Sequence, residues 1–264
     1  MRSKHITMPW EEFEVLPRAP GWKYEYWDGT AHITPNHRIV VTTVAVSPRE
    51  VNTAATIRPA VADDETYLKP PFMEAFAEAV DYCDYDEDGL NRGANRDLER
   101  IFKSQGGTLF GASRVALDPS EGTPIGAVLV TEGPVNPLLS ILFVVPRWQR
   151  NGIANALVSA AINCLDELGE QRFTSAFLLA NDASRNWHHR FGFIDEPDLS
   201  LAQNYLSNAR HELWRRQKLG NLSAAEQKVL EHECERLEVD VDRLRQMEGT
   251  GDSEAAYPVL RFLR

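Results

Sequence analysis

Three features that would each define a class of protein are missing from this sequence. No run of about 18 apolar residues occurs, and the first ten residues, MRSKHITMPW, contain no apolar signal core. We therefore expect a soluble, cytoplasmic protein with no membrane partner. The three cysteines, Cys83, Cys164 and Cys234, stand far apart and form no metal-type pair, so the sequence favours a reduced setting over a disulfide scaffold.

Basic charge is scarce as well. The chain has 28 Lys and Arg residues against 39 Asp and Glu residues, which gives a formal net charge of −11 at pH 7. Because binding to a phosphate backbone needs a basic surface, we expect no nucleic-acid partner, and cationic substrates fit better. The chain does have the length and the hydrophobic content of a globular protein, since 264 residues, 43% of them hydrophobic, can bury a substantial core.

The sequence pattern divides the chain into three parts. Residues 1–54 contain KYEYWDGTAHITP, two alternating runs around Asp28 and Gly29, which predicts a β-hairpin because glycine readily takes the positive φ of a tight turn. HRIVVTTVAVSP predicts a further strand of this N-terminal β arm. Strand and helix patterns alternate over residues 55–198, which predicts a mixed α/β domain. Residues 199–264 are charged and helical, and predict a C-terminal helical hairpin with a tail.

The C-terminal part contains signals for two helices separated by Gly220 and Asn221. Ser223 and Glu226 have the spacing of a reciprocal capping box at the start of the second helix. That helix has an apolar seam, whose members are Leu230, Cys234, Leu237, Val241 and Leu244. The seam fits either an antiparallel helix of the same chain or another subunit, so a homodimer is one expectation. GTGDSEAA predicts a linker, and YPVLRFLR predicts a short tail that docks on the protein.

Residues 144–160, VVPRWQRNGIANALVSA, predict a strand, a glycine-containing turn and a helix in immediate succession. The first amides of a helix have no helical partner, and the helix dipole adds positive potential, so this turn can bind a pyrophosphate. Arg147 and Arg150 add charge around it. Such a turn also occurs for packing alone. The predicted buried stripe of the helix consists of Ile153, Leu157, Ala160, Cys164 and Leu168.

Two sequence motifs favour a binding role for this turn over a role in packing alone. QRNGIA, residues 149–154, resembles the Q/R-x-x-G-x-G/A signature of the GNAT superfamily of acyl-CoA N-acyltransferases, and VVP stands upstream as is usual there. NDASRNWHHRFGF, residues 181–193, is similar to the second signature of that family. The resemblance covers residues 55–198. It implies the α/β GNAT fold, a mixed twisted sheet flanked by helices, here with the N-terminal β arm and the C-terminal helical hairpin added.

The resemblance also implies an activity, which is transfer of an acetyl group from acetyl-CoA to an amine that attacks directly in a ternary complex. It places the pantetheine arm along a splayed central strand and the pyrophosphate on the turn, with two further contacts on the other side of the arm. The implied cofactor-binding residues are, in that order, Phe143, Val144 and Val145; Gln149, Arg150, Asn151, Gly152, Ile153 and Ala154; and Asn181 and Ser184. A backbone amide near Val144 would stabilise the oxyanion.

The sequence departs from the family pattern at two catalytic positions. His188 stands where the family commonly has a tyrosine that protonates the departing thiolate, so His188 is the candidate catalytic residue, or it only fills the space of that tyrosine. Residues 137–145 contain no carboxylate to act as a base. Deprotonation of the amine could then run through water, Glu132 or the acidic loop, which comprises residues 81–89. These departures leave a second hypothesis, a non-catalytic acyl-CoA-binding sensor or assembly protein.

The acidic loop joins two predicted helices and contains the pattern D-x-D-x-D-G. Asp84, Asp86, Asp88 and Gly89 match the opening of a calcium loop, but Asn95 stands at the twelfth position, where a bidentate glutamate belongs. The loop is therefore a calcium site, a lip that attracts cationic substrates, or an ordinary solvated loop. We assign no metal ligand. The identity of the acceptor amine does not follow from the sequence.

Overall fold

The computed structural model of the chain describes residues 3–103 and 111–249. The strands of this part are β1 Lys4–Thr7, β2 Trp22–Trp27, β3 Thr30–Pro35, β4 Ile39–Ala45, β5 Thr56–Pro59, β6 Arg114–Leu117, β7 Pro124–Thr131, β8 Leu138–Val144, β9 Arg172–Leu178 and β10 Ile194–Asp195. Its helices are α1 Trp10–Glu14, α2 Asp64–Phe76, α3 Glu87–Phe102, α4 Ile153–Glu167, α5 Asp182–Phe191, α6 Leu199–Lys218 and α7 Ala224–Gly249. None of these helices has the length and apolar character needed to cross a bilayer.

The chain folds into two compact units. The first comprises the described residues of Val41–Phe177 and Ala183–Asp195, and the second those of Arg2–Val40, Leu178–Asp182 and Glu196–Arg264. The domain boundaries expected from the sequence, at residues 54 and 198, stay a prediction. The predicted linker and tail that follow α7 lie outside the described residues.

A seven-stranded mixed sheet organises the first unit, in the order β10-β4-β9-β8-β7-β6-β5. β8 and β9 are parallel, whereas β5 to β8 pair with one another antiparallel. α4 covers one face through a core that includes Val128 and Val130 of β7. α2 and α3 cover the other face and contact Ala127 and Leu129 of the same strand. This alternation along β7 is the period of a strand buried on both faces, so the predicted α/β fold class is confirmed.

α4 forms where the sequence predicts it, but its buried face is broader than the predicted stripe. Ile153 and Leu157 are buried as expected, whereas Ala160 and Cys164 are only partly buried. The prediction is wrong for Leu168, which is 57% exposed. The helix ends at Glu167, and Gly169 then turns the chain with a φ of 83°, so Leu168 lies past the last turn that faces the sheet.

The second unit contains a three-stranded sheet in the order β1-β3-β2. Asp28 and Gly29 connect β2 and β3 with φ angles of 51° and 72°, the pair of positive values typical of the predicted two-residue hairpin turn. β1 pairs with the other edge of β3 and was not predicted, because its residues are all exposed and show no alternation. β4, predicted for this arm, instead joins the seven-stranded sheet between β10 and β9.

α6 and α7 form the predicted helical hairpin. Four of the five seam residues of α7, namely Cys234, Leu237, Val241 and Leu244, pack in one cluster with Ala202 and Leu206 of α6. The seam is thus covered within the chain, and a homodimer stays a prediction. The capping box is confirmed, since the Ser223 N–H donates to Glu226 at 3.0 Å and the Glu226 N–H donates to Ser223 Oγ at 3.3 Å.

Candidate cofactor and acyl-transfer site

β8 and β9 separate part of the way along their length. Their parallel pairing joins Leu138 to Thr174 and Leu139 to Ser175, while β8 continues to Val144. On its other side β8 pairs with β7 beyond that point, with a register shift that leaves Ser140 as an extra residue. The strands therefore diverge after Leu139 and Ser175, and we call the space between them the strand gap. This is the splay that the sequence analysis placed at β8.

The backbone of β8 points alternately to β7 and to the strand gap. The Val145 N–H donates to the Ile125 carbonyl at 2.9 Å, so Val145, and Phe143 two residues before it, face β7. Val144 faces the gap. Its carbonyl accepts a hydrogen bond from Gln149 Nε2 at 2.9 Å, and its N–H is the group left to meet a ligand there. Of the three residues proposed for the pantetheine arm, Val144 therefore has the suitable orientation.

Residues 149–154, which we call the phosphate turn, follow directly. Arg150 and Gly152 have φ angles of 64° and 76°, and Gly152 caps α4 without a side-chain hydrogen bond. The first helical hydrogen bond runs from the Ala156 N–H to the Gly152 carbonyl at 2.9 Å. The amides of Ile153 and Ala154 precede it and so have no partner within the helix. Gln149, Arg150, Asn151 and Gly152 are exposed, so an anion can approach these amides.

A network of side chains connects α5 to the helix of the phosphate turn. Trp187 Nε1 donates to Asn155 Oδ1 at 2.8 Å, and the Trp187 ring stacks on Phe191 at 5.2 Å between centroids. Arg49 lies 4.6 Å from the centre of the Phe191 ring and donates from Nη1 to the Phe191 carbonyl at 3.2 Å. Asn163 of α4 holds the Arg49 backbone with two hydrogen bonds. These contacts join α5, which carries the second sequence signature, to α4, which begins at the first.

His188 of α5 is 4% exposed and bonded through both ring nitrogens. Nδ1 lies 2.8 Å from the Ser184 carbonyl, and Nε2 lies 2.8 Å from Ser175 Oγ. A carbonyl oxygen only accepts, so Nδ1 carries the proton and Nε2 accepts from the Ser175 hydroxyl. Burial lowers the pKa of His188 to about 4, mainly by desolvating the charged form. The imidazole is therefore neutral at pH 7.

Much of the first unit matches a known protein family. Residues 73–193 match the model of the acetyltransferase (GNAT) family. This segment is a GNAT domain. The resemblance inferred from the two motifs is thereby confirmed, and the domain belongs to a family of acetyltransferases. No curated protein matches the chain.

Solved structures similar to the chain include three N-acetyltransferases. A GCN5-related N-acetyltransferase from Sphaerobacter thermophilus is 17% identical with a TM-score of 0.43, over 60% of this chain and 48% of that one. PaiA N-acetyltransferase from Thermoplasma acidophilum, solved with coenzyme A, is 17% identical with a TM-score of 0.44, over 55% and 93%. The aminoglycoside N-acetyltransferase AAC(6')-Iy, solved with CoA, is 18% identical with a TM-score of 0.39, over 56% and 91%. The chain spans about half of the Sphaerobacter protein.

The remaining proposed cofactor residues of the GNAT domain lie at the start of α5. Ser184 is in the first turn of the helix, and its carbonyl holds His188. Asn181 precedes the helix, and its N–H donates to the Leu178 carbonyl at 2.7 Å. Asn181 lies in the segment Leu178–Asp182, which belongs to the second unit. The roles of Asn181 and Ser184 beside the cofactor stay predictions.

The acidic loop caps helix α3, a structural role that was not predicted from the sequence. Asp86 caps α3, since its Oδ1 accepts from the Gly89 N–H at 2.7 Å, and Glu87 and Asp88 form the first turn. Negative charge there stabilises the positive end of the helix dipole. Among residues 3–103 and 111–249, no group of three His, Cys, Asp or Glu side chains is arranged to hold a metal ion. The D-x-D-x-D-G pattern therefore includes the N-cap and the first turn of α3.

Two serines that belong to the site were not predicted from the sequence. Ser175 is fully buried on β9 at the point where pairing with β8 ends, and it meets His188 only through the fold. Ser140, at the bulge of β8, shares a hydrogen bond of 2.7 Å with Thr131 of β7. Serines of this kind are common in strands, so no local signal would have singled them out. Glu132, one of the proposed bases, is exposed.

Proposed function

We propose that the GNAT domain transfers an acetyl group from acetyl-CoA to an amine acceptor by direct attack in a ternary complex. One observation supports this most strongly. The strand gap opens directly before the phosphate turn, so a free strand edge and a set of unpaired helix amides lie in sequence along one path. An extended amide-containing arm that ends in a pyrophosphate needs these two features in this order.

The cofactor contacts follow from the orientation of each group. The amides of the phosphate turn bind the pyrophosphate, and Arg150 adds an exposed positive charge beside them. The Val144 backbone bonds to the pantetheine arm, and Gln149 fixes the end of β8 through the Val144 carbonyl. Phe143 supports the strand from the other side, because its ring is buried against Phe72 of α2.

The reaction needs four changes in bonding. The amine nitrogen attacks the thioester carbonyl, the carbonyl oxygen becomes negative, the C–S bond breaks, and the amine proton leaves. A second β8 amide that faces the strand gap, near Val144, stabilises the oxyanion by a hydrogen bond that strengthens as the charge develops. The CoA thiol is an alkyl thiol like that of cysteine, whose reference pKa is about 8.5, so the thiolate can depart without full protonation.

We propose that at neutral pH His188 positions α5 against β9, through its hydrogen bonds to Ser184 and Ser175, and does not act as an acid. Its Nδ1–H is held by the Ser184 carbonyl and its Nε2 accepts from Ser175, so neither nitrogen presents a proton to a leaving group. The alternative role as the acid that protonates the thiolate would require the ring to release Ser175 and gain a proton. The lowered pKa of His188 opposes that gain.

The base is water in this proposal. β8 has no carboxylate. The hydroxyl of Ser140, which shares a hydrogen bond with Thr131, can order a water molecule but cannot take a proton at neutral pH. The net charge of −11 favours acceptors that carry positive charge. An amine that arrives protonated then loses its proton to solvent before attack.

Two measurements test the proposal. Calorimetric titration with acetyl-CoA should give one binding event per chain, and a thiol assay with a panel of polyamines, aminoglycosides and amino acids should detect release of CoA. Binding without release for every amine would favour the second candidate, a non-catalytic acyl-CoA-binding sensor or assembly protein. Two observations favour that candidate, namely the absence of a carboxylate on β8 and the hydrogen bonds that occupy both ring nitrogens of His188. Absence of binding would overturn both.

A further inference from the structure

We infer that His5 and His32 form a binding site for a divalent transition-metal ion on the three-stranded sheet of the second unit. The two residues lie directly opposite each other on β1 and β3. Their Nδ1 atoms approach to 2.7 Å. Directly opposed cross-strand side chains have Cβ atoms about 5 Å apart, so two imidazoles there can reach a common point between the strands.

The surroundings hold His32 in a fixed orientation. The Trp27 ring stacks on His32 with centroids 3.5 Å apart and planes 9° from parallel. The rings of His5 and His32 meet edge to face, with centroids 4.7 Å apart. Within residues 3–103 and 111–249, Nε2 of His32 is buried and has no hydrogen-bond partner. The ring is thus held by stacking and by His5 alone, so an ion at Nδ1 would displace one hydrogen bond only.

The proton balance of the pair permits metal binding. Two neutral imidazoles that share a hydrogen bond between Nδ1 atoms hold one proton there, and only one of the two nitrogens offers a lone pair. His5 is exposed, so in the tautomer that carries its proton on Nε2 this N–H donates to water. Both Nδ1 lone pairs then face the ion.

The geometry and the ligand type favour zinc, nickel, copper or cobalt. Imidazole suits these ions, and a zinc–nitrogen bond is about 2.0–2.1 Å, so two nitrogens on one tetrahedral ion lie about 3.3 Å apart. The rings therefore need to separate by roughly half an ångström. Glu25 lies opposite His32 on β2, and its carboxylate forms an ion pair with Lys23 at 2.6 Å, so the site itself is built from the two imidazoles. Water completes the coordination.

Such an ion would join β1 to the rest of the sheet. β1 has four residues, and all of them are exposed, so apolar burial contributes little to its attachment. A bond from His5 through the ion to His32 would add a cross-strand link at the outer edge of the sheet. Because the ion binds only the folded pair, it should stabilise the folded chain by mass action.

The test uses the full chain, freed of metal by chelation, and follows calorimetric binding of Zn²⁺ and the visible absorption of Co²⁺. We expect one ion per chain, with an affinity that falls at least tenfold in His5→Ala. The control is His232→Ala, because His232 is an exposed histidine of α7 without a histidine partner, and this variant should bind as the parent does. His5→Ala leaves the stack of Trp27 on His32 intact, so it should fold.

A second readout separates the site from thiol binding elsewhere. Zn²⁺ should perturb the imidazole NMR signals of His5 and His32 and raise the melting temperature of the parent more than that of His5→Ala. Equal binding by the parent and His5→Ala would overturn the inference, and so would a parent that takes up no ion. His32→Ala should reproduce the loss seen in His5→Ala, and a variant that binds normally would also contradict the site.

Discussion

The imidazole of His188 lies between a serine hydroxyl and a backbone carbonyl, and this placement determines its charge. Ser175 and Ser184 satisfy both nitrogens of the neutral ring. Phe177 covers the ring at 4.9 Å between centroids, so water does not solvate the charged form. An isolated histidine would titrate near neutrality, but this one stays neutral there.

Replacing His188 by phenylalanine distinguishes positioning from acid catalysis. We expect kcat to fall by less than about tenfold with an unchanged pH profile between pH 6 and 9, because the ring donates no proton to the thiolate in that range. Steady-state kinetics on a verified amine measures this. The control is His189→Phe, a change at the exposed neighbouring residue. A loss above about 100-fold that His188→Tyr partly restores would establish the acid role.

The same residue makes stability depend on pH. The pKa of His188 is about 4 in the folded protein and about 6.5 in the unfolded chain, so between these values the unfolded chain binds a proton that the folded protein does not. Stability should therefore fall as the pH falls through this window, by up to about 3 kcal/mol from this group. Urea unfolding at several pH values measures it. In His188→Phe the slope over pH 4 to 6.5 should be shallower.

Gly152 offers a direct test of the phosphate turn. A glutamate there places negative charge and bulk against the amides that we assign to the pyrophosphate, so Gly152→Glu should weaken acetyl-CoA binding by at least about 100-fold. Gly169→Glu is the matched control. Both glycines have positive φ, 76° and 83°, and neither has a neighbour that a Cβ would strike, so the backbone strain is similar while only one site lies at the start of α4. Calorimetry should show normal binding by the control, and equal affinities would remove the assignment.

Elements differ in how much of their structure is encoded locally. The strand, turn and helix around Gly152 and the cap at Ser223 were predictable, because hydrophobic period, positive φ and capping act over a few residues. Ser175, Arg49 and Asn155 were not, because each meets its partner only after the chain has folded. β1 was not predicted because a short exposed strand shows no alternation of hydrophobic and polar residues. The beginning of α3 at Glu87 was not predicted because the same residues match the opening of a calcium loop.

The helical hairpin gives a prediction at the scale of an element. Leu237 of α7 is buried in the cluster with α6, whereas Val239 of the same helix is 67% exposed. Leu237→Ala should lower the free energy of unfolding by about 2–4 kcal/mol, because it removes buried methyl groups and leaves a cavity. Val239→Ala should change it by less than about 0.5 kcal/mol. Chemical unfolding measures both, and a change in oligomeric state in Leu237→Ala would show that the seam also serves another subunit.

At the scale of the whole molecule, the excess of acidic residues should govern the encounter with substrate. If the acceptor is a polyamine, its KM should rise as ionic strength increases from about 0.05 to 0.5 M, because salt screens attraction between exposed charges. A zwitterionic amino acid with no net charge is the control and should show little change. Initial-rate kinetics at several salt concentrations measures this, and parallel behaviour of the two acceptors would argue against electrostatic attraction.

The position of β4 in the seven-stranded sheet has a consequence for the order of folding. β4 lies between β9 and β10, which the ribosome makes more than a hundred residues later. During synthesis both edges of β4 therefore stay unpaired until β9 and β10 have been made. The strands from β5 to β8 can pair in turn, as each new strand emerges. Since distant pairings slow folding, the closing step of the domain should be the late insertion of an early strand. A chaperone that shields extended apolar segments would find its target at IVVTTVA.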